Sequence, residues 1–314
     1  MKFFSMFSGI GGFDLALNRE GHTCIGYSEI DKYAIQTYEK NFGREVKNYG
    51  DATKINPLEL PDFDLLCGGF PCQAFSIAGK RRGFEDTRGT LFFEVARILQ
   101  VKKPKLVLLE NVKGLLNHNE GQTFAVILQT LEELGYDIQW MVLNSRFFGV
   151  AQNRERVFII GSLRGQSRPE VLFKRSAGCE VVSEKGLVVL NEASHSNNRV
   201  YSSCGLSPTL NTMQGGLRQP KIITYSLYPR SSKTNKGGTG LLSKNDDSSY
   251  CLDTGNNQAI LQTNIIRKLT PLECERLQGF PDDWTMGVSD SQRYRQLGNA
   301  VTVNVVQAII KKLK

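Results

Sequence analysis

From Lys2 to Gly161 the chain alternates short apolar runs with helically spaced stretches, and this alternation constrains its fold most. The runs are Lys2 to Phe7, Thr23 to Ser28, Phe63 to Cys67, Leu106 to Leu109, Ile138 to Leu143 and Val157 to Gly161, with a short, more polar segment around Val46 to Tyr49 counted third. Between them, Leu15 to Leu17, then Leu91, Phe92, Val95, Ile98 and Leu99, then Phe124, Ile127, Leu128, Leu131 and Leu134 mark helix faces. Strands joined through helices run largely parallel. The predicted fold is therefore α/β, with a mixed, largely parallel sheet that binds its ligand where the strands end.

The residues at those strand ends are chemically unusual. Gly9, Gly11 and Gly12 follow the first run in a G-x-G-G turn that opens a helix. A strand, glycine turn and helix suit a nucleotide, but the spacing differs from G-x-G-x-x-G, which weakens a nicotinamide oxidoreductase reading. Glu29 ends the second run, where a carboxylate can accept from ribose hydroxyls, or can be a solvated loop acid. Asp51 follows the third run, where it can accept from an adenine amine or cap a helix. Taken together, the three favour a nucleoside site.

The fourth run delivers GGFPCQAFS at 68–76. Pro71 stiffens the backbone beside Cys72, and the two glycines allow another molecule close. Cys72 is a candidate nucleophile; alone, a Pro-Cys pair reads more readily as packing. Residues 77–88 hold Lys80, Arg81, Arg82 and Arg88 with two glycines, which suits a basic lid on a phosphate backbone. Glu110 ends the fifth run, where a buried carboxylate needs a partner. Arg154 and Arg156, two apart in an extended segment, point to one face.

The formal net charge of +8 and a pI near 9.1 favour a polyanionic partner. Seven cysteines form no C-x-x-C pair, which argues against a disulfide framework and against a metal site. No signal peptide is apparent, and no apolar run is long enough to span a membrane. After residue 162 the composition turns to Ser, Asn, Gly and Thr. We divide the chain into a catalytic and cofactor domain (1–162), a small irregular strand-rich domain (163–285) and a returning C-terminal segment (286–314). Loops 211–218 and 231–240 carry amide and hydroxyl side chains that can read base edges, Gln214, Arg218 and Lys233 among the candidates.

Read in order, the motifs FSGIGGF (7–13), YSEID (27–31), GD (50–51), GGFPCQAFS (68–76), ENV (110–112), QNRER (152–156), LTPLECERLQGFPDDW (269–284) and QLGNAVTVNV (296–305) resemble the bacterial DNA (cytosine-5)-methyltransferases. The resemblance implies a Rossmann-like fold that transfers methyl from S-adenosylmethionine to C5 of a flipped cytosine in double-stranded DNA. By that resemblance Cys72 is the nucleophile at C6, and Glu110 binds N3 and the exocyclic amine with a raised pKa. Arg156 holds the cytosine O2, with Arg154 beside it. Phe7, Gly9, Gly11, Glu29, Ile30, Asp51, Ala52, Pro71, Leu91, Asn299 and Val301 line the cofactor pocket. Ile30 departs from relatives that carry a stacking tryptophan there. Ser76, the basic lid and Thr209 of a Thr-Leu pair meet DNA. The implied setting is a restriction-modification system in the bacterial cytoplasm, with a monomeric enzyme and a separate endonuclease. A tRNA cytosine methyltransferase is disfavoured by the hundred or so variable residues, and a catalytically dead DNA binder by intact Cys72, Glu110 and Arg156.

Overall fold

The structure is a computed structural model and describes residues 1–71, 91–166, 169–171, 173, 200–202, 207, 209–210, 221–225 and 264–313. Cys72, Ser76, Lys80, Arg81, Arg82, Arg88, Gln214, Arg218 and Lys233 lie outside the described residues.

Six strands form the main sheet: β1 (Lys2–Met6), β2 (Thr23–Ser28), β3 (Leu65–Gly69), β4 (Leu106–Val112), β5 (Tyr136–Asn144) and β6 (Glu155–Leu163). Their order is β2-β1-β3-β4-β6-β5. The first four lie parallel, while β6 runs antiparallel to both β4 and β5. The period-two pleat sorts the apolar runs onto two faces. Phe3, Leu65, Leu106 and Leu108 belong to one core cluster, and Phe4, Leu66, Val107 and Leu109 to the other. Near-continuous apolar runs are what a sheet buried on both faces demands.

Helices cover the two faces. α1 (Gly12–Arg19), α5 (Pro271–Gln278), α6 (Asp290–Asn299) and α7 (Val303–Lys312) pack on the first face. α3 (Leu91–Lys102) and α4 (Gln122–Glu133) pack on the second. α2 (Lys32–Phe42) follows β2 and is capped by Asp31, whose carboxylate accepts from the N–H groups of Tyr33 and Ala34. At α5, Thr270 and Glu273 form a reciprocal capping box before Pro271. None of the described helices is long and apolar enough to cross a membrane.

One expectation needs correcting. Residues 46–49 form no strand; Asn48 makes one isolated parallel bridge to Tyr27, since a run this polar has no face to bury. Part of the same core comes from residues 269–284. Leu269, Cys274, Phe280 and Trp284 join the core cluster of Phe13 and Leu17, and the Trp284 indole N–H donates to the Ile10 carbonyl at 3.0 Å. Before that point lies a separate three-stranded sheet of β7 (Val200–Ser202), β8 (Lys221–Tyr225) and β9 (Asn264–Lys268), ordered β7-β8-β9.

Candidate active site

The glycine turn after β1 takes left-handed backbone at Gly9 (φ 57°) and Gly11 (φ 83°). A β-carbon on Gly11 would fall 2.2 Å from the Phe42 ring, so this position excludes side chains. Phe7, half-buried, also has positive φ, at 53°. The turn is closed from far along the chain. Val301, just after α6, packs so closely on Gly12 that a β-carbon there would lie 2.8 Å from its Cγ1.

Glu29 follows β2 directly. Its Oε2 accepts from the Gly9 N–H at 2.8 Å, and its Oε1 accepts from the Ile30 and Asp31 N–H groups at 2.8 Å each. A carboxylate offers about four acceptor positions, so one on Oε2 remains for a ligand hydroxyl, against the two expected. Ile30 is 73% exposed, an apolar face presented beside that carboxylate. Asp51 realises its capping alternative: Oδ1 accepts from the Thr53 N–H and hydroxyl at 3.0 and 2.8 Å. Those bonds hold its carboxyl below the usual range. Its Oδ2 faces Lys54 at 3.8 Å and stays available to an amine. Ala52 is buried beneath it, Leu91 is half-buried, and Pro71 and Asn299 are exposed.

The second half of the site lies one strand beyond β3. Glu110 pairs in register with Gly69 of β3 and Phe158 of β6. A β-carbon on Gly69 would meet Glu110 Oε2 at 3.0 Å, so glycine gives the carboxylate its room. Glu110 Oε1 accepts from Arg156 Nε at 3.1 Å, with both side chains largely buried. Burial pushes the Glu110 carboxyl up, and the Arg156 and Arg154 guanidiniums only partly oppose it. Burial likewise lowers Arg156. Asn111, 3% exposed, donates to the Phe70 carbonyl at 2.8 Å and so fixes the backbone leading to Pro71.

Arg154 does not share this pocket face. Its guanidinium is 2% exposed and donates to the carbonyls of Leu210, Gly298 and Ala300. The two-residue spacing suggested a shared face, but Arg154 lies just ahead of β6, where the segment turns into the fold. The Thr209 hydroxyl donates to the Asn153 carbonyl at 2.7 Å. Sequence reasoning missed Gln152 and Gln278, both 0% exposed, because an interior glutamine has no distinctive spacing.

All 314 residues match the model of the family described as C-5 cytosine-specific DNA methylase. The chain belongs to that family. This methylase is 40% identical over 316 residues to the Type II methyltransferase M1.ScrFI of Lactococcus lactis subsp. cremoris, covering 99% of this chain and 77% of that protein. It is 37% identical over 319 residues to the Type II methyltransferase M.HhaI of Haemophilus parahaemolyticus, covering 98% and 93%. Its fold matches the crystal structure of a Spodoptera frugiperda DNMT2 mutant, with a TM-score of 0.67, 19% identity and 99% coverage of both chains. The methylase is thus a DNA (cytosine-5)-methyltransferase with the S-adenosylmethionine-dependent fold. The residues present fit that cofactor: a fixed carboxylate, an exposed apolar side chain beside it, a second acceptor at Asp51, and open space over Gly9 and Gly50, where a β-carbon would meet nothing within 4 Å.

Proposed function

We propose that this methylase modifies one cytosine within a defined duplex sequence through a covalent Cys72 adduct, as the modification enzyme of a restriction system. The observation that carries the reading is the buried Glu110–Arg156 pair, opposite Gly69 and three residues from Cys72 in the chain beyond it. C5 of cytosine is a weak nucleophile until a thiolate adds at C6. Glu110, holding its proton, donates it toward N3 as Cys72 adds, and Arg156 holds O2. S-adenosylmethionine, when bound, supplies an electrophilic methyl group. Glu29 orients the ribose, Asp51 the adenine amine, and Ile30 packs on the base. Loss of the C5 proton then expels Cys72 and restores the ring.

The C6 face of cytosine is stacked in a duplex, so the base must leave the helix, at a cost of about a few kcal/mol. Lys80, Arg81, Arg82 and Arg88 suit a clamp on the phosphates around it. Residues 163–265 read the target, with Gln214, Arg218 and Lys233 as base-edge candidates. A separate endonuclease would cut the unmethylated site.

The test uses unmethylated chromosomal DNA and labelled S-adenosylmethionine. Cys72→Ala is expected to abolish methyl transfer while leaving S-adenosylhomocysteine binding intact, and retained turnover would sink the nucleophile assignment. Bisulfite sequencing of the wild-type product reports the target.

A further inference from the structure

The recognition segment is tied to the catalytic layer through main-chain groups. The Ser207 N–H donates to the Ala151 carbonyl at 2.8 Å, and the Asn153 N–H to the Ser207 carbonyl at 2.9 Å. Leu210, 1% exposed, is gripped twice. Its N–H donates to Gln152 Oε1 at 2.9 Å, and its carbonyl accepts from Arg154 Nη1 at 2.9 Å. The same guanidinium reaches across with Nη2 to the carbonyls of Gly298 at 3.1 Å and Ala300 at 2.9 Å. Those two carbonyls flank Asn299, and Val301 follows directly.

A glutamine completes the bridge. Gln278 Nε2 donates to the Leu297 carbonyl at 2.6 Å and the Ala300 carbonyl at 3.3 Å. Its Oε1 accepts from Thr302 Oγ1 at 2.8 Å and Gln152 Nε2 at 3.3 Å. Gln152, Arg154, Gln278 and Thr302 are each no more than 3% exposed. Polar groups buried this deeply are costly unless paired, and pairing fixes their geometry. Among the described residues Arg154 alone bonds directly to both sides, because a planar guanidinium presents donors on separate edges at fixed spacing.

We propose that Arg154 is a positioning residue: it couples the segment carrying Leu210 to the Gly298–Val301 wall, so that DNA binding and cofactor binding strengthen one another. The inference rests on the reading of Asn299 and Val301 as cofactor wall and of residues 163–265 as the DNA reader. A displacement of Leu210 on DNA pulls the carbonyls that set the wall. The strand beyond Arg154 carries Arg156, paired with Glu110, so the same displacement bears on the reaction centre. Such coupling is reciprocal by thermodynamic necessity.

Calorimetric titration of S-adenosylhomocysteine tests this, on the full chain alone and saturated with sheared unmethylated chromosomal DNA. In the wild type, DNA is expected to tighten binding about fivefold or more. In Arg154→Gln and Gln278→Met that ratio is expected to fall toward one. Arg154→Lys, which can reach one side but not both, should fall between. Gln278→Met keeps the side-chain volume and removes the amide, so it decides the matter if Arg154→Gln fails to fold. An unchanged ratio in the variants overturns the coupling, as does an equal loss of affinity with and without DNA. A wild-type ratio near one overturns the coupling and leaves the cofactor reading standing. No binding to the wild type at all overturns both.

Discussion

Glu29 and Glu110 stand at the same edge of one sheet, with two strands between them, and the surrounding chain treats them oppositely. Glu29 is clothed by three main-chain N–H groups and sits beside an exposed isoleucine. Glu110 is buried against an arginine, and burial lifts its pKa. Main-chain donors fix the direction of the carboxylate, which suits holding a ligand hydroxyl. Burial favours the neutral form, which suits lending a proton to a ring nitrogen. The lesson is that a carboxylate at a strand end has no fixed chemistry; its donors and its solvent decide.

The sharpest way to break this contrast is Glu110→Gln. The amide keeps the shape but cannot pass on a proton, so turnover is expected to fall roughly a hundredfold or more. S-adenosylhomocysteine affinity should hardly move. Turnover near the wild-type rate would place the proton elsewhere. Glu29→Gln should act on the other side of the division. Its amide turns a donor toward backbone N–H groups, so KM for the cofactor is expected to rise about tenfold. Turnover at saturating cofactor should hold; if it falls with affinity, the two carboxylates are not separate in function.

A third carboxylate sharpens the comparison at the smallest scale. Asp14 is 0% exposed and accepts from the Ser5 and Tyr38 hydroxyls at 2.8 Å each and from the Cys24 thiol at 3.5 Å. It is buried like Glu110 but has only neutral donors, and burial raises its pKa. The folded protein therefore keeps this proton to a higher pH than the unfolded chain does. Its contribution to stability is fully present below the unfolded pKa and is lost as pH rises through the folded value. Asp14→Asn escapes that loss. It is expected to melt above the wild type by roughly 2–4 °C at pH 8, with the gap narrowing toward pH 4. A constant gap across that range would mean that Asp14 does not titrate differently in the fold.

What the sequence made legible follows the same physics. The run Thr23 to Ser28 matches β2 at both ends, because apolar periodicity and the acidic stop agree. Glu110 and Arg156 were legible through their motifs. The third strand was not there to be read: polar residues at 46–49 find one bridge. α2 went unnoticed because its buried residues, Ala34, Thr37 and Tyr38, make too mixed a stripe. Asp14 reads as an ordinary acid in a first helical turn until Ser5 and Tyr38 are seen beside it. The partners of Arg154 are carbonyls, which every residue carries, so no composition or spacing could disclose them.

The contact of Val301 with Gly12 has a consequence for synthesis. At about 5–20 residues per second, the glycine turn leaves the ribosome roughly 15–60 s before the residue that closes it. Through that interval the glycine turn lacks the side chain that packs on it, and the face of α1 that meets α7 is bare. A chain cut short before Val301 is therefore left with this turn unpacked and that helix face uncovered.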